Sequence, residues 1–148
     1  MTDTGDLIKL YSGRILELAA AIPLTDRLVA PDASRSKRSP LCGSTVTIDV
    51  KMDGCVVAEY GQDVKACALG QAAASVLASR IVGLSAETIR AGRDQLASML
   101  EQGGPPPAAP FDELCILQPA RDYRNRHASI LLAFDATVEA IESLDVTA

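Results

Sequence analysis

Four cysteines and one histidine are the side chains of this 148-residue chain best suited to holding a metal or carrying sulfur. Cys42 lies in the short turn Leu41-Cys42-Gly43-Ser44, where the glycine that follows it favours an exposed, reactive thiol. Cys67 stands at the mouth of an alanine-rich segment. A thiol at a helix N-terminus meets the positive end of the helix dipole and free N–H groups, which favour the thiolate and suit sulfur acceptance. The competing reading of Cys67 is a small residue packed under a hairpin. Cys55 follows Met52-Asp53-Gly54 and reads as a filler at a strand position, and Cys115 as an ordinary half-buried helix cysteine. His127 ends the basic run Arg124-Asn125-Arg126 and is read either as a further donor or as a solvated or capping residue of a turn. Neither Cys42 nor Cys67 has a histidine and an acid at a recognisable spacing, so an independent thiol enzyme is disfavoured and a non-enzymatic role is expected.

Composition narrows the chemistry. The N-terminus, Met1-Thr2-Asp3-Thr4-Gly5-Asp6, is acidic and leads into an amphipathic segment, which does not read as a secretory signal. No apolar run approaches the ~18 residues of a membrane span. A cytoplasmic protein with reduced thiols is therefore expected, the cysteines being available for metal or sulfur rather than for a disulfide framework. A net charge of −5 and a scarcity of aromatic residues, with no Trp, two Phe and three Tyr, disfavour nucleic acid as a partner. The same scarcity predicts a core built from aliphatic helices and a small sheet.

The elements that must position the thiols follow from periodicity. Thr45 to Val50 and Val56 to Tyr60 alternate as strands around Met52-Asp53-Gly54, a strong hairpin signal, and Gln62 to Ala66 can add a third strand. Apolar residues at helical spacing predict helices over Asp6 to Ala21, from Ala68 to a stop at Gly83, from the N-cap Ser85 to about Gln102, and from Ala128 to Leu144. Gly92 weakens the middle of the third of these. The polar run Ser34-Arg35-Ser36-Lys37-Arg38-Ser39 reads as a solvated loop just before Cys42. Gly103 to Pro110 reads as a stiff linker to a C-terminal unit that opens with a short helix, Phe111 to Leu117, interrupted by Pro119. The whole, residues 1–148, is expected to form a single α+β domain in which a small three-stranded antiparallel sheet packs against several helices.

The order Cys42-Gly43, hairpin, then Cys67-Ala68-Leu69-Gly70-Gln71-Ala72-Ala73-Ala74-Ser75 resembles the U-type iron–sulfur cluster scaffold family, which comprises IscU, SufU and the N-terminal part of NifU. Leu10-Tyr11 resembles the Leu-Tyr that starts the family's first helix, while Glu17-Leu18 stands where the family usually has Asp-His. The family's Asp after Cys-Gly is Ser44 here. Two residues compete for the family's third cysteine. Cys115 qualifies by residue type. The run Phe111-Asp112-Glu113-Leu114, Arg121 to Arg126, and Leu132 to Ala136 resembles the SufU branch in order and spacing, and that register, which matches more positions, places Ser129 there. The resemblance then implies a ligand set of Cys42, Ser44, Cys67 and Ser129, with His127 available to compensate in part.

Two of those four positions have lost an anionic donor, whereas structural zinc and iron–sulfur clusters take thiolate, imidazole or carboxylate ligands. A transient iron–sulfur cluster or a zinc ion is therefore expected to be bound weakly or not at all. The resemblance implies a scaffold or sulfur carrier that receives sulfur from a cysteine desulfurase or another iron–sulfur assembly protein, with Cys42 and Cys67 as its chemical groups. The alternative is a degenerate homologue that acts as a protein-binding accessory or regulatory subunit without metal assembly.

Overall fold

The computed structural model describes residues 13–40 and 43–144, so the start of the helix expected over Asp6 to Ala21, with Leu10-Tyr11, and the thiol of Cys42 lie outside the described residues. Helix α1 (Gly13–Ala20) buries Ile15 and Leu18, one turn apart, against the next helix. Three strands follow, β1 (Ala33–Arg38), β2 (Thr45–Asp53) and β3 (Val56–Lys65), in the spatial order β1-β2-β3 with antiparallel pairing throughout. Helix α2 (Ala68–Ile81) runs through the centre, α3 (Ala86–Gln102) follows, a 3-10 helix (Asp112–Asp122) crosses back, and α4 (Arg124–Leu144) closes the chain. The α+β class with a three-stranded antiparallel sheet is as expected. No helix among the described residues is long and apolar enough to cross a membrane.

The sheet differs from the expectation in which segments form it. The runs Val56 to Tyr60 and Gln62 to Ala66 are one strand, not two, because Gly61 continues the ladder opposite Asp49 instead of breaking it. That glycine is required on the open face: a Cβ there would lie 2.3 Å from the carbonyl oxygen of Asp26, whose loop crosses the strand. The missing strand is β1, formed by the polar run expected to be a loop. Its alternation is hidden because both faces are polar. Ser34 and Ser36 bond to Asp49 and to Thr47 on the open face of β2, while Arg35 and Lys37 lean over the other face to share Glu139 of α4.

Asp49 holds this corner together. Its buried carboxylate accepts from Nε (2.6 Å) and Nη2 (3.0 Å) of Arg27, from the Leu28 amide (3.0 Å) and from the Ser34 hydroxyl. Burial pushes its pKa up, but the hydrogen bonds from Arg27, Ser34 and Leu28 outweigh burial and hold it below the ordinary aspartate value.

Ten of the fourteen residues of α2 are buried, which is possible because alanine lets neighbours approach from every side. Val82 leaves the helix in extended conformation and Gly83, at φ +91°, turns the chain towards α3. Ser85 caps α3 by accepting from the Thr88 amide at 3.1 Å. Gly92 has a purpose beyond weakening that helix. It leaves the slot filled by the ring of Phe111, which packs edge-to-face on Phe134 of α4 at 5.3 Å.

The C-terminal elements therefore belong to the same core as the rest. The 3-10 helix also runs through Pro119, where a break was expected, since the fixed φ of proline suits a series of short turns and costs only one donor. Helix α4 starts at Arg124 rather than Ala128, its first three residues being polar and carrying no apolar signal. Tyr60 of β3 is buried against α4. Its hydroxyl lies 2.8 Å from Thr137 Oγ1, which in turn donates to the Ala133 carbonyl at 2.7 Å, so Tyr60 is the donor of the pair.

Candidate functional site: a thiol and two serines where three elements meet

Three elements converge at one end of the sheet. Where β1 passes to β2, the Ser39 amide donates to the Ser44 carbonyl at 2.8 Å and the Gly43 amide donates to the Ser39 carbonyl at 2.9 Å. Gly43 is at φ +68°, a conformation glycine adopts without penalty. These bonds set Ser44 at the start of β2. At the same end β3 finishes at Lys65 and the chain enters α2, with Cys67 as the N-cap residue in extended conformation. The Cys67 side chain makes no capping hydrogen bond, so its sulfur is not committed to the helix. The third contributor is the second turn of α4, which carries Ser129.

The three side chains form a chain of contacts. Ser44 Oγ lies 2.9 Å from Ser129 Oγ, and Ser129 Oγ lies 3.6 Å from Cys67 Sγ. Ser44 and Ser129 are buried, at 4 % and 1 % exposure, while Cys67 is half-buried and so the most accessible residue of the three. Sequence reasoning missed the residue that makes this approach possible. A Cβ on Gly70 would lie 2.8 Å from Ser129 Oγ and 2.9 Å from the Ser129 carbonyl oxygen, so α2 and α4 meet over a glycine. The available signal was its position in the first turn of an otherwise alanine-rich helix.

The remaining site candidates are elsewhere. His127 is buried, and its Nε2 donates to the carbonyls of Ala120 (3.0 Å) and Arg121 (3.1 Å) at the end of the 3-10 helix, a capping arrangement. Two residues along a helix are a rotation of about 200°, so His127 and Ser129 leave α4 on opposite sides. Cys115 is exposed on the 3-10 helix. Cys55 sits exposed in the two-residue turn between β2 and β3 rather than at a strand position.

Ligands of one tetrahedral ion stand about 4 Å apart, and the spacing of Ser44, Ser129 and Cys67 is of that order. Among the described residues the donor set does not fit. One thiol and two hydroxyls supply at most one anionic ligand, and the hydroxyls are already bonded to each other; Cys42 would raise the number of anionic ligands only to two. Among the described residues no group of three or more His, Cys, Asp or Glu side chains is placed to hold a metal ion.

No protein-family model matches the chain, and no curated protein does. Solved structures do. A nitrogen-fixing NifU-like protein (N-terminal) from Brucella abortus is 43 % identical, over 97 % of this chain and 99 % of its own, with a TM-score of 0.94. A putative iron–sulfur cluster assembly scaffold for the SUF system of the thermophile Fervidobacterium islandicum AW-1 has the same fold at 17 % identity, over 90 % and 98 % of the two chains, with a TM-score of 0.83. A hypothetical protein at 22 % identity, over 91 % and 98 %, has a TM-score of 0.75. With so high an identity over nearly its whole length, the chain belongs to the NifU-like, U-type family of iron–sulfur cluster assembly scaffolds.

Proposed function

We propose that the protein serves iron–sulfur cluster assembly as a carrier of sulfur, with Cys67 as the acceptor thiol and Cys42 as the second thiol, and that it receives this sulfur from a cysteine desulfurase. In that reaction the Cys67 thiolate attacks the outer sulfur of the donor's persulfide. The S–S bond of the donor breaks, a new S–S bond forms on Cys67, and the donor cysteine leaves as a thiolate, so no outside oxidant or reductant is needed. The observation that carries the reading is the Ser129 hydroxyl at 3.6 Å from a half-buried, uncommitted sulfur. With Ser44 as the donor of the serine pair, the single Ser129 proton is left to point at the sulfur, where it stabilises negative charge on a thiolate and on a persulfide alike. The cluster, as cargo, is completed elsewhere, because even with Cys42 the site offers two thiolates where a cluster takes four.

Incubation with L-cysteine and a pyridoxal-phosphate cysteine desulfurase, followed by alkylation and mass spectrometry, tests the reading. One additional, reductant-labile sulfur is expected on the Cys67 peptide and none on the Cys115 peptide. Absence of that sulfur from both Cys42 and Cys67 rules the carrier role out.

The self-satisfied pair Ser44–Ser129 favours a second reading, a protein-binding accessory subunit that has kept the fold and given up metal assembly. It differs in one outcome: such a protein binds the desulfurase without acquiring sulfur.

A further inference from the structure

The two edges of the sheet are treated differently. The outer edge of β3 is bonded by two segments: the Gln62 amide donates to the Leu24 carbonyl at 2.9 Å, and along Gly83-Leu84-Ser85 the Val57 amide donates to Leu84, the Gly83 amide to Val57, and Val56 bridges Ser85. Among the described residues no segment bonds the outer edge of β1. Ser39 and Ser44 form a hydrogen-bonded pair in the β1–β2 register, so Lys37, Arg35 and Ala33 turn their amides inward to β2. The intervening residues Ser34, Ser36 and Arg38 present N–H and C=O outward, and all three are exposed.

The edge is also cationic in a chain of net charge −5. Arg35 and Lys37 share Glu139 of α4, and Lys37 also lies within the field of Asp135, while Arg38 forms no ion pair among the described residues. Cations on an open edge oppose its pairing with a second copy, because β1 against β1 sets like charges opposite one another. The same cations select an extended segment of opposite charge. We infer that the outer edge of β1 is a docking site for an acidic, extended segment of a partner protein, added as a fourth strand beside Ser34, Ser36 and Arg38. Backbone bonds supply the affinity and the cations the selection. Since β1 ends beside Ser44, a partner held there lies next to the thiol site.

The test uses the full chain and a peptide of alternating glutamate and valine, with a lysine–valine peptide as control. Titration is followed by fluorescence anisotropy and by amide hydrogen exchange. The acidic peptide is expected to bind, more weakly as salt rises, and to slow exchange at Ser34, Ser36 and Arg38, while the basic peptide does not bind. Ser36→Pro removes the central outward N–H at a position where an edge strand tolerates proline, and should weaken binding by about tenfold or more. Arg38→Glu, which leaves the backbone untouched, should weaken it several-fold. Equal binding of both peptides, no protection of those three amides, unchanged affinity in both variants, or self-association through β1 would each overturn the inference.

Discussion

Two helical glycines admit a neighbour where a Cβ would collide, and they do so for opposite reasons. Gly92 of α3 receives the Phe111 ring, with a would-be Cβ 2.4 Å from Cδ2, inside an apolar core completed by Phe134. Gly70 of α2 receives Ser129, whose hydroxyl is committed to Ser44 and lies beside the Cys67 sulfur. The first contact stabilises the fold through a large buried area. The second is worth little to folding, on the order of 1 kcal/mol for a neutral hydrogen bond, and decides what the site can hold. The residues of this site can therefore change while the architecture stays.

The contrast is broken most strongly at the core. Phe111→Ala should cost about 3–5 kcal/mol in denaturant unfolding, through lost burial and the cavity left beside Phe134. Gly92→Ala should cost about 1–3 kcal/mol, since the ring has no room to yield, even though alanine is the better helix former. Asp49→Asn comes next, at roughly 2 kcal/mol, because hydrogen bonds from a charged partner and from a backbone amide are weakened at a buried acceptor. Its pH dependence has a definite sign. The Asp49 pKa is lowered in the folded state, so the stability it contributes is complete above the ordinary aspartate value of 3.8 and is lost as the pH falls through the folded value. Thermal unfolding of the two proteins should thus differ near neutrality and converge in acid. At the site, Ser129→Ala should cost about 1 kcal/mol or less, and Cys115→Ser should change neither stability nor sulfur loading, as checked by denaturation and by mass spectrometry.

Core and site also differ in how far the sequence revealed them. Helices α2 to α4 were legible because Leu69, Leu77, Ile89, Leu96, Ile130 and Phe134 keep an apolar face, and the β2–β3 hairpin because Asp53-Gly54 sits between alternating runs. Strand β1 was not, since an edge strand with a polar face and cations on the other has no apolar alternation to read. Pro119 misled for a related reason, as breaker rules describe α-helices and the chain there makes shorter turns. Periodicity said nothing of residue 129 beside residue 67. That pairing depends on two helices crossing at Gly70, and only the family resemblance offered a register for it. The role of His127 was open in the sequence because tautomer and direction are set by carbonyls six and seven residues earlier.

We propose that Ser44 and Ser129 leave the position beside Cys67 a thiol site and not a metal-holding one. Iron, zinc and acid-labile sulfide per chain, measured after anaerobic purification and dialysis against a chelator, test it most directly when wild type is set beside the double variant Ser44→Asp, Ser129→Cys. Wild-type protein is expected to be nearly free of metal and the variant to retain close to one metal ion per chain, with the fold unchanged. Wild-type protein that keeps near-stoichiometric metal through the same dialysis would contradict it.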